Sequence, residues 1–379
     1  MKKTLTVGPI WLAGDEGQGA SLQIGDGAIV SLDPAVPGET DHRLFPGFID
    51  IHNHGCVGVD VNSADVEGLV DVGRFLAQNG VTAWMPTLVP DSDANYARII
   101  SVIEGVMQRQ SDMPIAQIVG VHYEGMFANK KMCGALRPEF FKKFGVGELA
   151  ELPRLKEGVH MMTFAPEVEG GIELAKELVA NRWIASIGHT NADIATLDAC
   201  FAAGARHVTH FFNAMTGIHH RDLGVAGWVL ANREVTFDII ADGIHVDRRM
   251  LDLACRMKSS EKVCLISDSV SPTGKGDGEF EIWGEKVSVS EGRTRNERGS
   301  IAGSVITMHD AVRQMIDLGF SFAEVSQMAS LNPARLLGLE KSHGAISPGK
   351  RADLVAMDKT GNIKMVMIGG KIVQKPARE

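Results

Sequence analysis

The sequence predicts an α/β chain: a (β/α)8 TIM-type barrel with a small β-sandwich domain formed by both chain ends. Three observations carry this expectation. From residue 45 onward, short β-rich runs alternate with helical stretches, and eight such strands suit a closed barrel better than an open sheet. Both ends instead alternate apolar and polar residues between Gly and Pro turns, with no helical period. The length of 379 residues exceeds one ordinary domain and accommodates a barrel plus a module.

The elements follow in order. Residues 3–45 contain LTVGPIWL and ASLQIGDGAIVSL, and residues 346–379 contain ISPGKRADLVAMD and IKMVMIGGKIVQ. Strands that lie at opposite chain ends and have one polar face most simply pair with each other. The expected division is therefore 1–45 plus 346–379 for the small domain and 46–345 for the barrel. Barrel strands are expected at Gly47–His52, Thr82–Met85, Ile118–His122, His160–Ala165, Ile184–Gly188, His207–His210, Glu234–Ile240 and Lys262–Ser267. Helices are expected between them at Val66–Gln78, Asn95–Gln110, Gly171–Asn181, Ile194–Ala203 and Arg248–Arg256.

Composition narrows the function. Apolar residues at 44% and charged residues at 22% are those of a folded globular chain, which excludes collagen and low-complexity polymers. A net charge of −9 argues against a nucleic-acid or anionic-membrane partner. Two N-terminal lysines lead into no apolar stretch of signal-peptide length, and no later run reaches the roughly 18 apolar residues of a membrane span. Cys56, Cys133, Cys200, Cys255 and Cys264 are odd in number and lack C-x-x-C spacing, so reduced thiols in a cytoplasmic protein are expected.

Barrel enzymes carry their chemistry where strands end. The first predicted strand ends in His52-Asn53-His54, and side chains two apart on a strand share a face, so both imidazoles can address one ion. Glu124 follows the third strand, His189 the fifth, His210 the sixth and Asp268 the eighth. Each has an ordinary reading: an isolated His-x-His is commonly structural, Glu124 could pair with Lys130 or Lys131, and Asp268 could cap a turn. Their shared placement, in strands otherwise apolar, points to a metal centre. Other motifs fail. Gly14, Gly17 and Gly19 lack Rossmann spacing, Lys275 lacks the P-loop glycine, and neither H-E-x-x-H nor G-x-S-x-G occurs.

PGFIDIHNHG, GVHYEG, SIGHTNA, VTHFFNAM, IADGIHV, ISDSVSP and IAGSVITM occur in this order, ahead of GAISPGKRADLVAMD. Over residues 44–358 they resemble the N-acetylglucosamine-6-phosphate deacetylases of the amidohydrolase superfamily. The resemblance implies the barrel and terminal β-domain already expected, and a homodimer in which one subunit adds phosphate contacts to its neighbour's site. It implies Glu124, His189 and His210 as ligands of the principal divalent metal, with His52 and His54 at positions that can hold a second. The implied ion is zinc, with iron or another divalent metal as the alternative. Asp268 falls on the catalytic acid/base, Asn213 and Ala214 on the sugar-phosphate segment, and Arg221 and His245 on phosphate-binding positions. Residue chemistry agrees with these roles: amide hydrolysis needs an activated water and a proton shuttle, and Arg221 offers a planar fork to phosphate.

The pattern departs from the family at two places. Met126 follows Glu124-Gly125 where a proline is usual, and Leu136 stands where the family carries a histidine near the substrate. Leucine donates no hydrogen bond. The expected activity is metal-dependent deacetylation of N-acetylglucosamine 6-phosphate. The galacto epimer, another phosphorylated N-acyl substrate and a catalytically weak sugar-phosphate-binding protein are the alternatives.

Overall fold

The computed structural model describes residues 5–12, 19–34, 42–145 and 147–373. Gly14 and Gly17 and parts of both terminal segments lie outside the described residues. The barrel strands are β1 (Phe48–Asn53), β2 (Val81–Leu88), β3 (Gly120–Phe127), β4 (Val159–Phe164), β5 (Ile184–Ile187), β6 (His207–Val208), β7 (Thr236–Ile240) and β8 (Val263–Ile266). Each pairs in parallel with the next around the ring. The ring closes between the end of β1 and the residues that follow β8. Asp268 N donates to His52 O at 2.9 Å, and His54 N donates to Ser269 O at 2.8 Å.

The expected helix over Val66–Gln78 forms with those bounds, because Leu69, Val72, Gly73 and Leu76 share one buried face. Asp65 caps it by accepting from Gly68 N. Apolar side chains fill two zones. Val81, Tyr123, Phe164 and Phe237 pack with helix residues such as Leu69, Ile99, Leu174 and Leu251. Ile49, Met85, Met161, Ile240 and Ile266 gather from different strands into a separate cluster, as a filled barrel interior requires.

Both chain ends contribute to one seven-stranded sheet among the described residues. Its order is Lys371–Val373, Ile363–Ile368, Leu354–Met357, Arg43–Pro46, Leu5–Leu12, Gly19–Gly25 and Ala28–Pro34. The strand Arg43–Pro46 belongs to this sheet and runs into β1 through Gly47. After β8 the chain adds an antiparallel three-stranded sheet, Gly278–Ile282, Glu285–Ser290 and Arg293–Asn296, before the helix Met308–Asp317. The sequence reading placed no element here.

Asp50 joins the first and last barrel strands. Its Oδ2 accepts from Ser267 Oγ at 2.6 Å and from Asn53 Nδ2 at 3.1 Å. Burial pushes this carboxyl up, against the hydrogen bonds from Ser267 and Asn53 that favour its charged form. Asp50→Ala strands those buried donors, each at about 1–3 kcal/mol. Urea unfolding is expected to show a destabilisation of about 2–3 kcal/mol; an unchanged midpoint would show that Asp50 does not tie the seam.

Candidate metal centre

The C-terminal ends of β1, β3, β5, β6 and β8 deliver polar side chains to one buried point. Glu124 Oε1 lies 3.0 Å from His210 Nε2 and 3.1 Å from His189 Nε2, and these two nitrogens are 3.1 Å apart. His52 and His54 approach the same carboxylate from the other side. His54 Nε2 is 3.2 Å from Glu124 Oε2, His52 Nε2 is 3.4 Å from Glu124 Oε1, and the two imidazole nitrogens are 3.1 Å apart. Asp268 Oδ1 sits 3.4 Å from His52 Nε2 and 3.3 Å from His54 Nε2. All six residues are buried.

Backbone geometry aims these groups. His189 (φ 47°), His210 (φ 32°) and Asp268 (φ 49°) adopt the left-handed region that non-glycine residues rarely occupy. Each ends or follows a barrel strand, so the turn swings its side chain toward the centre. Such strain persists only where surrounding contacts hold it. Asp238 on β7 supplies one of those contacts, accepting from the His210 backbone N–H while its other oxygen meets His207 Nε2 at 3.0 Å.

The donor set fits a metal ion. His189 Nδ1–H donates to Met132 O at 2.8 Å, and His54 Nδ1–H donates to Thr87 O at 3.1 Å. Both therefore leave Nε2 facing inward, the outer-sphere arrangement that fixes ligating imidazoles. Glu124, His189 and His210 form one candidate ligand group, and His52, His54 and Glu124 form another that shares the carboxylate. Two imidazoles and a carboxylate suit zinc and the neighbouring transition metals.

Electrostatics describe the same cluster when protons alone supply the positive charge. Burial opposes charge on His54, but hydrogen bonds with Asp268 and Glu124 outweigh it and raise its pKa to about 10. Burial likewise opposes charge on His210, and Glu124 carries it up to about 9. Burial would push the Glu124 and Asp268 carboxyls up, yet the surrounding imidazoles hold both below the usual carboxylate range.

A cavity of about 290 Å³ opens onto this centre. Asn213, Ala214 and His245 line it with the metal-centre residues, as do Ala135, Leu136, Trp283 and Ile301. His245 Nδ1–H donates to Asp242 Oδ2 at 2.6 Å, which leaves Nε2 as its remaining polar atom. Arg221 does not line the cavity. It is exposed, and its guanidinium lies against His220 Nε2 at 2.6 Å. The sequence reading missed Asp238, Asp242 and Trp283. Asp242 lay within the quoted IADGIHV, whereas Trp283 reaches the site on the added three-stranded sheet and carries no local signal.

The Amidohydrolase family profile matches residues 43–373. An N-acetylgalactosamine-6-phosphate deacetylase of Escherichia coli O157:H7 is 34% identical over 357 residues, covering 93% of this chain and 94% of that protein. An N-acetylglucosamine-6-phosphate deacetylase of Bacillus subtilis (strain 168) is 33% identical over 362 residues, covering 92% and 91%. The crystal structure of N-acetylglucosamine-6-phosphate deacetylase from Thermotoga maritima superposes with a TM-score of 0.90 at 30% identity, covering 98% of this chain and 100% of that one.

Removing the ligand carboxylate tests the centre. Loss of an outer-sphere partner costs about 10–100-fold in metal affinity, and loss of a ligand costs at least as much. Glu124→Gln is therefore expected to weaken zinc binding by at least about 100-fold in chelator competition. Retention of wild-type affinity would place the metal elsewhere.

Proposed function

The chain belongs to the amidohydrolase family, among its N-acetylglucosamine-6-phosphate deacetylases, and on that premise we propose that it hydrolyses the acetamide of N-acetylglucosamine 6-phosphate to glucosamine 6-phosphate and acetate. One observation carries the reading: the Glu124, His189 and His210 cluster shares a single cavity with Asp268 and with Asn213, Ala214 and His245. The galacto epimer is the second reading, favoured by the 34% identity to the E. coli galactosamine enzyme.

Glu124, His189 and His210 would hold the principal divalent cation, with zinc as its proposed identity, and His52 and His54 would provide for a second. Such a cation lowers the pKa of water toward neutrality and polarises an amide carbonyl. Asp268, ionised at neutral pH, accepts a proton from the attacking water at a carboxylate oxygen. It then returns that proton to the departing sugar nitrogen, which leaves poorly as an anion. The water oxygen joins the carbonyl carbon as the carbon–nitrogen bond breaks. Asn213, Ala214 and His245 hold the sugar phosphate, so binding far from the reacting bond orients the acetamide.

Arg221 completes the phosphate site of a partner subunit in a homodimer. Its exposure on a loop outside its own chain's cavity supports that assignment. The reading places the protein in the cytoplasm. Among the described residues no helix is long and apolar enough to cross a membrane, and all five cysteines are free thiols.

Acetate release from the gluco and galacto 6-phosphates by zinc-loaded protein tests the activity and the epimer together. Loss of a positioned acid/base costs about 10²–10⁴-fold. Asp268→Asn is expected to lower kcat by that range with zinc content unchanged. Full activity in this variant would remove Asp268 from the proton path. Mixing Arg221→Ala with Asp268→Asn subunits is expected to restore part of the turnover, because one of the two sites in each mixed dimer is then intact. No restoration would place Arg221 outside the partner's site.

A further inference from the structure

The loop after β3 lies directly against two of the candidate metal ligands. Met132 O fixes His189 Nδ1, and a Cβ built on Gly134 would sit 3.6 Å from His189 Cε1. Gly125, the residue after Glu124, has φ 76°, and a Cβ there would fall 2.2 Å from Leu136 Cδ1. The Leu136 isobutyl group therefore occupies the space that a side chain at 125 would need. Leu136 is 3% exposed, and Ala135, Ala214, Ile301 and Trp283 join it among the apolar residues lining the cavity. Leu136 gives this lining hydrocarbon with neither donor nor acceptor.

Two arginines fix that wall from opposite flanks of the sequence. Arg298 Nη2 donates to Ala135 O at 3.0 Å and to Leu136 O at 3.3 Å, while its Nε pairs with Glu285 Oε1 at 3.0 Å. Glu285 also accepts from Asn296 Nδ2 at 2.8 Å, so the anchor belongs to the added three-stranded sheet. Arg137 Nη2 donates to Pro90 O at 2.8 Å and to Asp91 Oδ2 at 2.9 Å, which ties the next residue to the segment after β2. Leucine at 136 thus has a backbone held on both sides and little freedom to withdraw.

We infer that Leu136 is the residue that sets the length of the acyl group this enzyme removes, and that Arg298 is its positioning residue. The inference rests on the deacetylase reading and names the specificity of that site. Leu136 bounds the space beyond the acetyl methyl, so N-acetyl substrates are preferred to N-propionyl and N-butyryl ones by shape alone. The bonds that change are the same for each: water oxygen joins the carbonyl carbon, the carbon–nitrogen bond breaks, nitrogen takes the proton, and the carboxylic acid leaves. In an apolar pocket one methylene is worth about 10–200-fold in discrimination.

The test is kcat/KM for N-acetyl-, N-propionyl- and N-butyrylglucosamine 6-phosphate, with zinc content measured alongside. Leu136→Ala is expected to raise the butyryl-to-acetyl ratio at least about tenfold, and Leu136→Phe to lower the propionyl-to-acetyl ratio. Arg298→Ala is expected to shift the ratios in the direction of Leu136→Ala at unchanged zinc content, and Arg298→Lys to recover part of the shift. Unmoved ratios in both Leu136 variants, with acetate released by the wild type, would overturn the inference alone. Zinc loss in Arg298→Ala would make that arginine structural and overturn its positioning role. No acetate release by the zinc-loaded wild type from either epimer would overturn the deacetylase reading and the inference together.

Discussion

The structure turns on a crowd of electron pairs that cannot share a small space without positive charge among them. Glu124 faces imidazole nitrogens of His189, His210, His52 and His54, with contacts between 3.0 and 3.4 Å, and Asp268 adds a second carboxylate. Buried groups at such distances require protons or a cation between them. The outer nitrogens of His189 and His54 are committed to Met132 O and Thr87 O, which leaves Nε2 of each facing the centre, where it can ligate a cation.

The rest of the fold serves that convergence. A closed barrel brings the ends of β1, β3, β5, β6 and β8 to one mouth, though they are far apart in sequence. Left-handed backbone at His189, His210 and Asp268 turns the side chains inward, and Asp50 and Asp238 brace the strands that carry them. The insertion after β8 contributes Trp283 and the Arg298 anchor, so one wall of the cavity depends on an element outside the barrel repeat. A rigid scaffold with variable segments at its strand ends is how a barrel changes substrate while keeping its chemistry.

Legibility in the sequence followed periodicity and fell away where long-range contacts decide. Val66–Gln78 is read correctly because its apolar residues keep a helical spacing, and the two chain ends pair through Arg43–Pro46 and Leu354–Met357, which are almost wholly buried. The sequence places the third strand at Ile118–His122, whereas the strand breaks at Val119 and resumes as Gly120–Phe127. Continuous burial of that segment conceals its end from any periodic signal. His189 and His210 are legible as polar residues at strand ends, and Glu124 as a polar residue in an apolar strand, three places before the end of β3. The left-handed turns of the two histidines and the Arg298 clasp on the Leu136 loop are not, since both arise from residues distant in the chain.

The most direct measurement is zinc-edge X-ray absorption on the loaded protein, which reports the ligand atoms without requiring turnover. The centre described here predicts a nitrogen and oxygen shell at about 2.0–2.2 Å with imidazole scattering and no sulfur. A zinc–sulfur distance of about 2.3 Å would move the ion to the cysteines, and a shell of oxygen alone would remove His189 and His210 from it. Either result would contradict the account at its centre.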